Sequence, residues 1–549
     1  MVKIVPLGGL GEIGLNMMVV EYQNTAVIID VGLMFPEDDM LGIDIVIPDL
    51  SYIRKIRSDI VGIILTHAHE DHIGALPYLL REIKTTVYGT PFTLGVVKRK
   101  LEEHGLLPAT VFEEINPLKT ISLGKLDIEF VRVGHSTIDG VGLAIRTPYG
   151  LIVHTGDFKI NHTAVDGMIT DVNRFAQFGK EGVLALLSDS TNVEQEGYTV
   201  SDQIVSQALE KIASGCKGRL IIALFASNVA RIQQVVDISQ KMGRKIVFNG
   251  RSIELTVKLA KELGHIHIPD GVEAEIGQLS SIEKNRVVIV TTGSQGEPMS
   301  ALARMATGDH KQIKIREDDT VVLSSKFIPG NEKAIAGIIN SLYRLGADVI
   351  YEKISEIHVS GHAFQEELKL MINLTKPRFF VPIHGEYRHL THHMRLAESV
   401  GIPRQNILFA ENGRIIGFDE QGGRLLGTVP TGRILVDGKG IGDISGDVLR
   451  ERRILSEDGL VIVTMIFDEE TGVVMSGPDL VSRGFVSWIE TGHLLDDAQC
   501  VVLEIVEDVG FDTPGRINII RSRIQKALRQ YFYFTIRRKP IIVPIILEH

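Results

Sequence analysis

Along the first two hundred residues, apolar positions come in short alternating runs that end at turn residues. Segments 2–7, 17–21, 26–30, 61–65, 86–88, 128–133, 142–146, 151–154 and 183–187 have strand length and strand patterning. Few helical repeats separate them. Two packed sheets with helices outside, an αββα sandwich, therefore fit better than a doubly wound sheet. From 203 to 352 the rhythm changes. Helices are expected at 203–214, 229–242, 253–263 and 333–345, and strands at 219–224, 245–248, 287–291, 320–324 and 348–351. That alternation predicts parallel strands joined by crossover helices. Ligand-type residues at strand ends return at 358–362 and 379–384, so the βαβ segment reads as an insertion into the first domain. The expected organisation is a sandwich in two parts (1–202 and 353–425) around an inserted domain (203–352). A Gly- and Asp-rich linker (426–450) then leads to a C-terminal α/β unit (451–549) with strands at 460–467 and 500–506 and a basic helix near 514–530.

A chain of 549 residues exceeds one ordinary core, which agrees with several domains. With 44% apolar and 23% charged residues it has the composition of a globular protein. The N-terminus is unlike a signal peptide and no apolar run is long enough for a bilayer, which predicts a cytoplasmic protein. Cys216 and Cys500 lack partner spacing and read as free thiols. The net charge of −11 argues against a general nucleic-acid binder. It is unevenly spread, however: Arg516, Arg521, Arg523, Lys526, Arg529, Arg537, Arg538 and Lys539 occur with no acidic residue between them. A local basic surface can hold phosphate on an acidic protein, because fields are screened within about 8–10 Å. The alternative is a solvated helix face set against an acidic partner.

The chemistry concentrates at His67-Ala68-His69-Glu70-Asp71-His72, directly after the apolar run 61–65. His67 and His69 share one parity, so extended backbone points both imidazoles the same way. The following turn brings round Asp71 and His72. Imidazole with carboxylate suits zinc or manganese. Such a set can hold two ions and activate water against a phosphate ester. Further ligands must come from other strand ends. His135 follows Phe130–Gly134, Asp157 follows Leu151–Gly156, and His384 follows Phe379–Ile383, each as apolar strand, ligand, turn.

The order H-x-H-x-D-H, His, Gly-Asp and a late His is similar to the metallo-β-lactamase superfamily. The insertion before the late His resembles the β-CASP branch, which acts on nucleic acids. More narrowly, Leu7–Gly14, Phe35–Asp38, Leu41–Asp44, Ser188–Asn192, Phe225–Asn228, His358–His362 and Pro382–Glu386 resemble the bacterial ribonuclease J family along essentially the whole chain. The resemblance implies that His67, His69 and His135 hold one metal. It implies that Asp71, His72 and His384 hold the second, with Asp157 bridging, the ions being zinc or manganese. It also makes His362 the proton donor or oxyanion stabiliser, with Asp189 in the family's acidic motif; the plain alternative for Asp189 is a turn or helix-capping role.

The same resemblance implies 5′→3′ exonuclease action favouring a 5′-monophosphate, with endonuclease activity, in mRNA decay and rRNA maturation. It places 5′-phosphate contacts at Ser227, Asn228 and Val229, where a helix begins, and at His358, Val359, Ser360, Gly361 and His362. Gly42, Asp44 and Asp437 match positions where relatives hold a structural calcium. The glycine-rich Gly8–Gly14 lacks the lysine of a P-loop and reads as a tight turn. Tyr531–Phe534 beside the basic helix suggests an oligomerisation surface more than a base-stacking one. A homodimer or homotetramer is expected, or an assembly with a paralogous subunit. Two other classes compete: a weakly active scaffold of an RNA-decay complex, and a hydrolase of small esters. An inserted domain of about 150 residues argues against the latter.

Overall fold

The alternating segments of the first two hundred residues fold into two sheets. The first has the strand order Gly422–Thr428, Arg414–Asp419, Val2–Gly8, Met17–Tyr22, Thr25–Ile29, Ile60–Ile64, Thr86–Gly89, Val111–Glu114. The second runs Phe379–Ile383, Val183–Asp189, Gly150–His154, Val141–Thr147, Leu126–Arg132, Thr120–Leu123. The computed structural model describes residues 1–549 except 118, 161–168, 298, 326, 328–330, 353–356, 358, 439, 443, 445, 469, 487–492 and 511–512. Its compact units are residues 1–34 with 47–433, and residues 35–46 with 434–549.

Parity within each strand decides which layer a side chain joins. Val27, Ile29 and Ile64 of the first sheet meet Ile128, Phe130, Leu143, Ile152, Leu187 and Val381 of the second between the sheets. The opposite parity of the second sheet (Val131, Val153, Leu186, Phe380) packs under helices Val172–Glu181, Gln365–Thr375 and Tyr387–Ser399 through Phe175, Phe178, Met371 and Ala397. Strand Val183–Asp189 is therefore buried at every position. Each fully buried phenylalanine stabilises by about 1.5–3 kcal/mol relative to exposure. Helices are more frequent in this region than the pattern predicted. Helix Pro91–Glu103, which buries Phe92, Val97 and Leu101, lies outside the expected elements.

Val183–Asp189 and Phe379–Ile383 are neighbouring parallel strands, and a complete five-stranded sheet is spliced into the connection between them. That sheet is parallel throughout, in the order Lys245–Asn249, Val287–Thr291, Leu220–Ala223, Thr320–Leu323, Asp348–Ile350. Helices Val229–Lys241 and Arg251–Glu262 pack on one face, and Ala301–Thr307 and Glu332–Arg344 on the other. The architecture is an αββα sandwich with a βαβ insertion.

In the second unit, strands Val474–Arg483, Leu460–Phe467 and Ile541–Glu548 form a sheet under helices Leu494–Asp508 and Arg516–Ile536. Segment 500–506, expected as a strand, is helix. Its β-branched run suggested a strand, but Ala498, Val502 and Val506 fall four residues apart and form the buried stripe, so tertiary packing overrides local propensity. The segment read as a linker holds the strand Arg433–Asp437 and the start of helix Gly446–Glu457. Of the C-terminal aromatics, Phe532 is core and Phe534 is exposed, while Tyr533 lies beneath Arg537 and Lys539.

Candidate metal centre

Past strand Ile60–Ile64 the chain leaves the sheet, bends at Ala68 and then makes a single helical turn, Glu70–Ile73. His67 and His69 converge across that bend, with Nε2 of the first and Nδ1 of the second 3.1 Å apart. His135, just beyond strand Leu126–Arg132, brings its Nε2 to 3.1 Å from the same His69 nitrogen. The turn presents Asp71 and His72. His384 follows strand Phe379–Ile383 in a left-handed conformation (φ 54°) and places Nε2 at 3.5 Å from Asp71 Oδ2. At the centre stands Asp157 Oδ2, 3.2 Å from His72 Nε2, 3.5 Å from His384 Nε2, 3.7 Å from His67 Nε2 and 3.9 Å from His135 Nε2.

Each inward nitrogen is set by a hydrogen bond on the opposite side of its ring. Asp30 Oδ2 lies 2.8 Å from His72 Nδ1, and Asp30 accepts from both the backbone N–H and the hydroxyl of Thr66, whose Oγ1 lies 3.0 Å from His67 Nδ1. The Gly361 carbonyl is 2.7 Å from His135 Nδ1, and Thr191 Oγ1 is 2.6 Å from His384 Nδ1. Partners of this kind fix tautomer and ring orientation in metal sites. Gly361 is required there: a Cβ would lie 2.7 Å from the His135 ring. Asp30, Thr66, Thr191 and Asn16 (which donates to Asp71) carried no sequence signal, because their role depends on distant partners. Of these four, Asp30 is the one with a left-handed φ (58°), a feature visible only in three dimensions.

The electrostatics fit divalent cations. Burial lowers His69 to about 4 and holds His67 and His135 well below the usual histidine range, so their lone pairs are free. Burial opposes charge on His384 and His72 as well, yet Asp157 with its neighbouring carboxylates pushes His384 up to about 10 and His72 well above its usual range. A pocket that draws protons onto buried imidazoles is one whose carboxylates need positive charge. Among the described residues, the buried His384 Nε2 has no hydrogen-bond partner. Together these donors suit two hard-to-borderline divalent ions.

His362 sits beside this cluster, with Nδ1 2.8 Å from Asp189 Oδ2 and its ring stacked on His384 at 5.4 Å. Burial would raise the Asp189 carboxyl, but His362 holds it below the usual carboxylate range. Asp189 also accepts from Thr191, so it combines the turn role with orientation of His362.

Asn228 caps helix Val229–Lys241 through a bond from Arg231 N–H, and Ser360 Oγ accepts from Asn192 and from His362 N–H. Val229 and Val359 join Ala68 of the histidine motif in one apolar cluster, which brings both expected phosphate-binding segments to the same core. His358 lies outside the described residues. At the expected calcium position, Asp437 pairs with Arg452 at 2.7 Å and Asp44 accepts from Gly438 N–H. The same guanidinium donates to the Leu41 carbonyl and lies against Gly42, so the positive charge at this corner is an arginine's.

The chain matches the Metallo-beta-lactamase superfamily over residues 10–177 and "Ribonuclease J, beta-CASP domain" over 217–342. It matches "Zn-dependent metallo-hydrolase RNA specificity domain" over 346–405 and "Ribonuclease J C-terminal domain" over 447–549. It is 43% identical to Ribonuclease J 1 of Streptococcus pyogenes serotype M3, covering 100% of this chain and 97% of that protein. Identity to Ribonuclease J2 of Bacillus subtilis is 42% (100% and 98% covered), and to Ribonuclease J of Thermus thermophilus 41% (100% and 95%). A solved structure of a protein of unknown function from Enterococcus faecalis V583 has a similar fold, with TM-score 0.55 and 16% identity over 76% of this chain and 99% of that one.

Proposed function

Because the chain belongs to the ribonuclease J family, we propose that it degrades RNA 5′→3′ from 5′-monophosphorylated ends and also cuts internally, in mRNA decay and rRNA maturation. At the coarser level it is a metal-dependent hydrolase of RNA phosphodiester bonds. The observation that carries the finer reading is the convergence of six inward-facing donors around Asp157 beside the inserted domain.

His67, His69 and His135 would hold one divalent ion and Asp71, His72 and His384 the other, with Asp157 shared; zinc or manganese suits that donor set. Two such ions, when bound, supply an activated water and neutralise charge on the phosphate. The remaining work falls to the protein's own side chains. Water adds to phosphorus, the P–O3′ bond breaks, and the departing 3′-oxygen takes a proton. With His362 Nδ1 engaged by Asp189, Nε2 is the ring atom left to donate it. Ser227, Asn228, Ser360 and backbone N–H groups near Gly361 would receive the terminal phosphate, helped by the N-terminus of helix Val229–Lys241.

A closed pocket of small donors admits one phosphate and leaves extra charge unpaired. Mononucleotide release from 5′-monophosphorylated RNA is expected to exceed that from the 5′-triphosphorylated strand by at least about tenfold, and to vanish on chelation. Equal rates on both strands would sink the end-recognition part of the reading.

A homodimer, or a tetramer built from it, is part of the same proposal. The C-terminal sheet has an apolar face opposite its helices, formed by the register-paired Val481, Ile462 and Val543 with Ile545, Ile466 and Leu547. Exposed apolar patches of this kind mark association surfaces. Light scattering is expected to give at least twice the chain mass, with Ile545→Glu shifting it to monomer; a monomeric wild type would overturn this. A cytoplasmic location completes the proposal. The free Cys216 and Cys500 suit a reducing compartment, and no helix among the described residues is long and apolar enough to cross a membrane. Cell fractionation tests it.

A further inference from the structure

Glu367, in the first turn of helix Gln365–Thr375, is fully buried, and among the described residues no lysine, arginine or histidine pairs with it. A lone buried carboxylate is costly unless donors surround it. Here four do. Oε1 accepts from Ile160 N–H (2.7 Å) and the Thr199 hydroxyl (2.9 Å), and Oε2 accepts from Thr199 N–H and Phe364 N–H (both 2.9 Å).

These donors belong to three different pieces of chain. Ile160 lies three residues beyond Asp157. Thr199 is on the connection that enters the five-stranded domain. Phe364 is on the connection that leaves it, two residues beyond His362. Neighbouring backbone bonds follow the same seam: Ala363 N–H to the Phe158 carbonyl (2.7 Å), Gln365 N–H to Gln195 (3.0 Å) and Glu366 N–H to Gly197 (3.1 Å). A glutamate that merely capped its helix would need only the Phe364 bond. The other three bonds hold segments outside the helix.

We propose that Glu367 is a positioning residue for phosphodiester hydrolysis. Its carboxylate pins both connections of the inserted domain to the loop after Asp157, and so sets where His362 stands over the metal centre. The inference rests on the RNA-hydrolase reading above. It makes a demand specific to an acceptor: all four partners donate, so an amide in place of the carboxylate sets an NH2 against N–H groups. The isosteric Glu367→Gln should therefore disturb the junction as surely as a larger change. A displacement of about 1 Å at a reacting group costs up to about 100-fold in rate.

The test compares full-length, metal-replete wild type, Glu367→Gln and Thr199→Val on 5′-monophosphorylated RNA, with kcat, KM, bound metal and the pH dependence of kcat measured for each. Glu367→Gln is expected to lower kcat by about 10- to 100-fold with KM and bound metal little changed, and to displace the limb of the pH profile that reports the proton donor. Thr199→Val, which removes one of the four donors, should move the same quantities less. Should Glu367→Gln fail to fold, Thr199→Val decides. Variants that melt earlier but keep the wild-type kcat and pH profile would reduce Glu367 to a structural residue and overturn the proposal. A wild type that cleaves no RNA would defeat the RNA reading and this inference together, whereas an active wild type with kinetically silent variants would defeat this inference alone.

Discussion

Asp157→Asn is expected to lower RNA hydrolysis by about a thousandfold or more. Asp157 Oδ2 stands within 4 Å of nitrogens on His67, His72, His135, His362 and His384. No other described side chain faces both halves of the centre in this way. An amide keeps the shape but removes the charge and turns a donor toward His72. Divalent ions supply several kcal/mol of charge stabilisation in such reactions, and each 1.36 kcal/mol is tenfold in rate. Bound metal, measured by elemental analysis, should fall together with activity, and the same measurement on the wild type distinguishes zinc from manganese. Wild-type turnover by an Asp157→Asn protein lacking bound metal would remove the metal centre from the reaction.

His362→Ala is the second large expected loss, about 10²- to 10⁴-fold in kcat on RNA, the range for a positioned general acid. This variant should keep its metal, since three histidines and the Asp71–His72–His384 set remain. The informative control is a diester whose leaving group needs no proton. Hydrolysis of bis(p-nitrophenyl) phosphate should survive His362→Ala within a few-fold while RNA cleavage is lost. Parallel losses on both substrates would assign His362 to charge stabilisation or structure and take the proton-donor role from it.

The proposed metal-facing side chains share a context that one sequence can display: His67, His69, His135, Asp157 and His384 come just after apolar strands, and Asp71 and His72 lie on the turn that follows His69. What could not be read was their support. Asp30 lies 2.8 Å from a histidine forty-two residues away, Thr191 lies 2.6 Å from His384, and the Gly361 carbonyl lies 2.7 Å from His135. Such pairings follow from sheet order, which periodicity alone does not encode. Glu367 was invisible for the same reason: Gln365-Glu366-Glu367 looks like an ordinary acidic helix start. Segment 500–506 shows the converse error. There the local signal was clear and wrong, because the stripe Ala498, Val502 and Val506 packs against helix Arg516–Ile536 and wins over β-branched propensity.

The splice between Val183–Asp189 and Phe379–Ile383 has a consequence for the life of the molecule on the ribosome. Residues 67–72, 135 and 157 emerge early, yet His384 emerges only after the entire five-stranded domain has been made. Closing that separation is slow, since non-local contacts carry a loop-closure cost. During this interval the nascent chain holds an incomplete set of ligands, with the Asp71 and His72 half of the centre lacking its third donor. The late histidine thus works as a built-in delay: a chain that degrades RNA gains the last of its proposed metal ligands only after 384 of its 549 codons have been read.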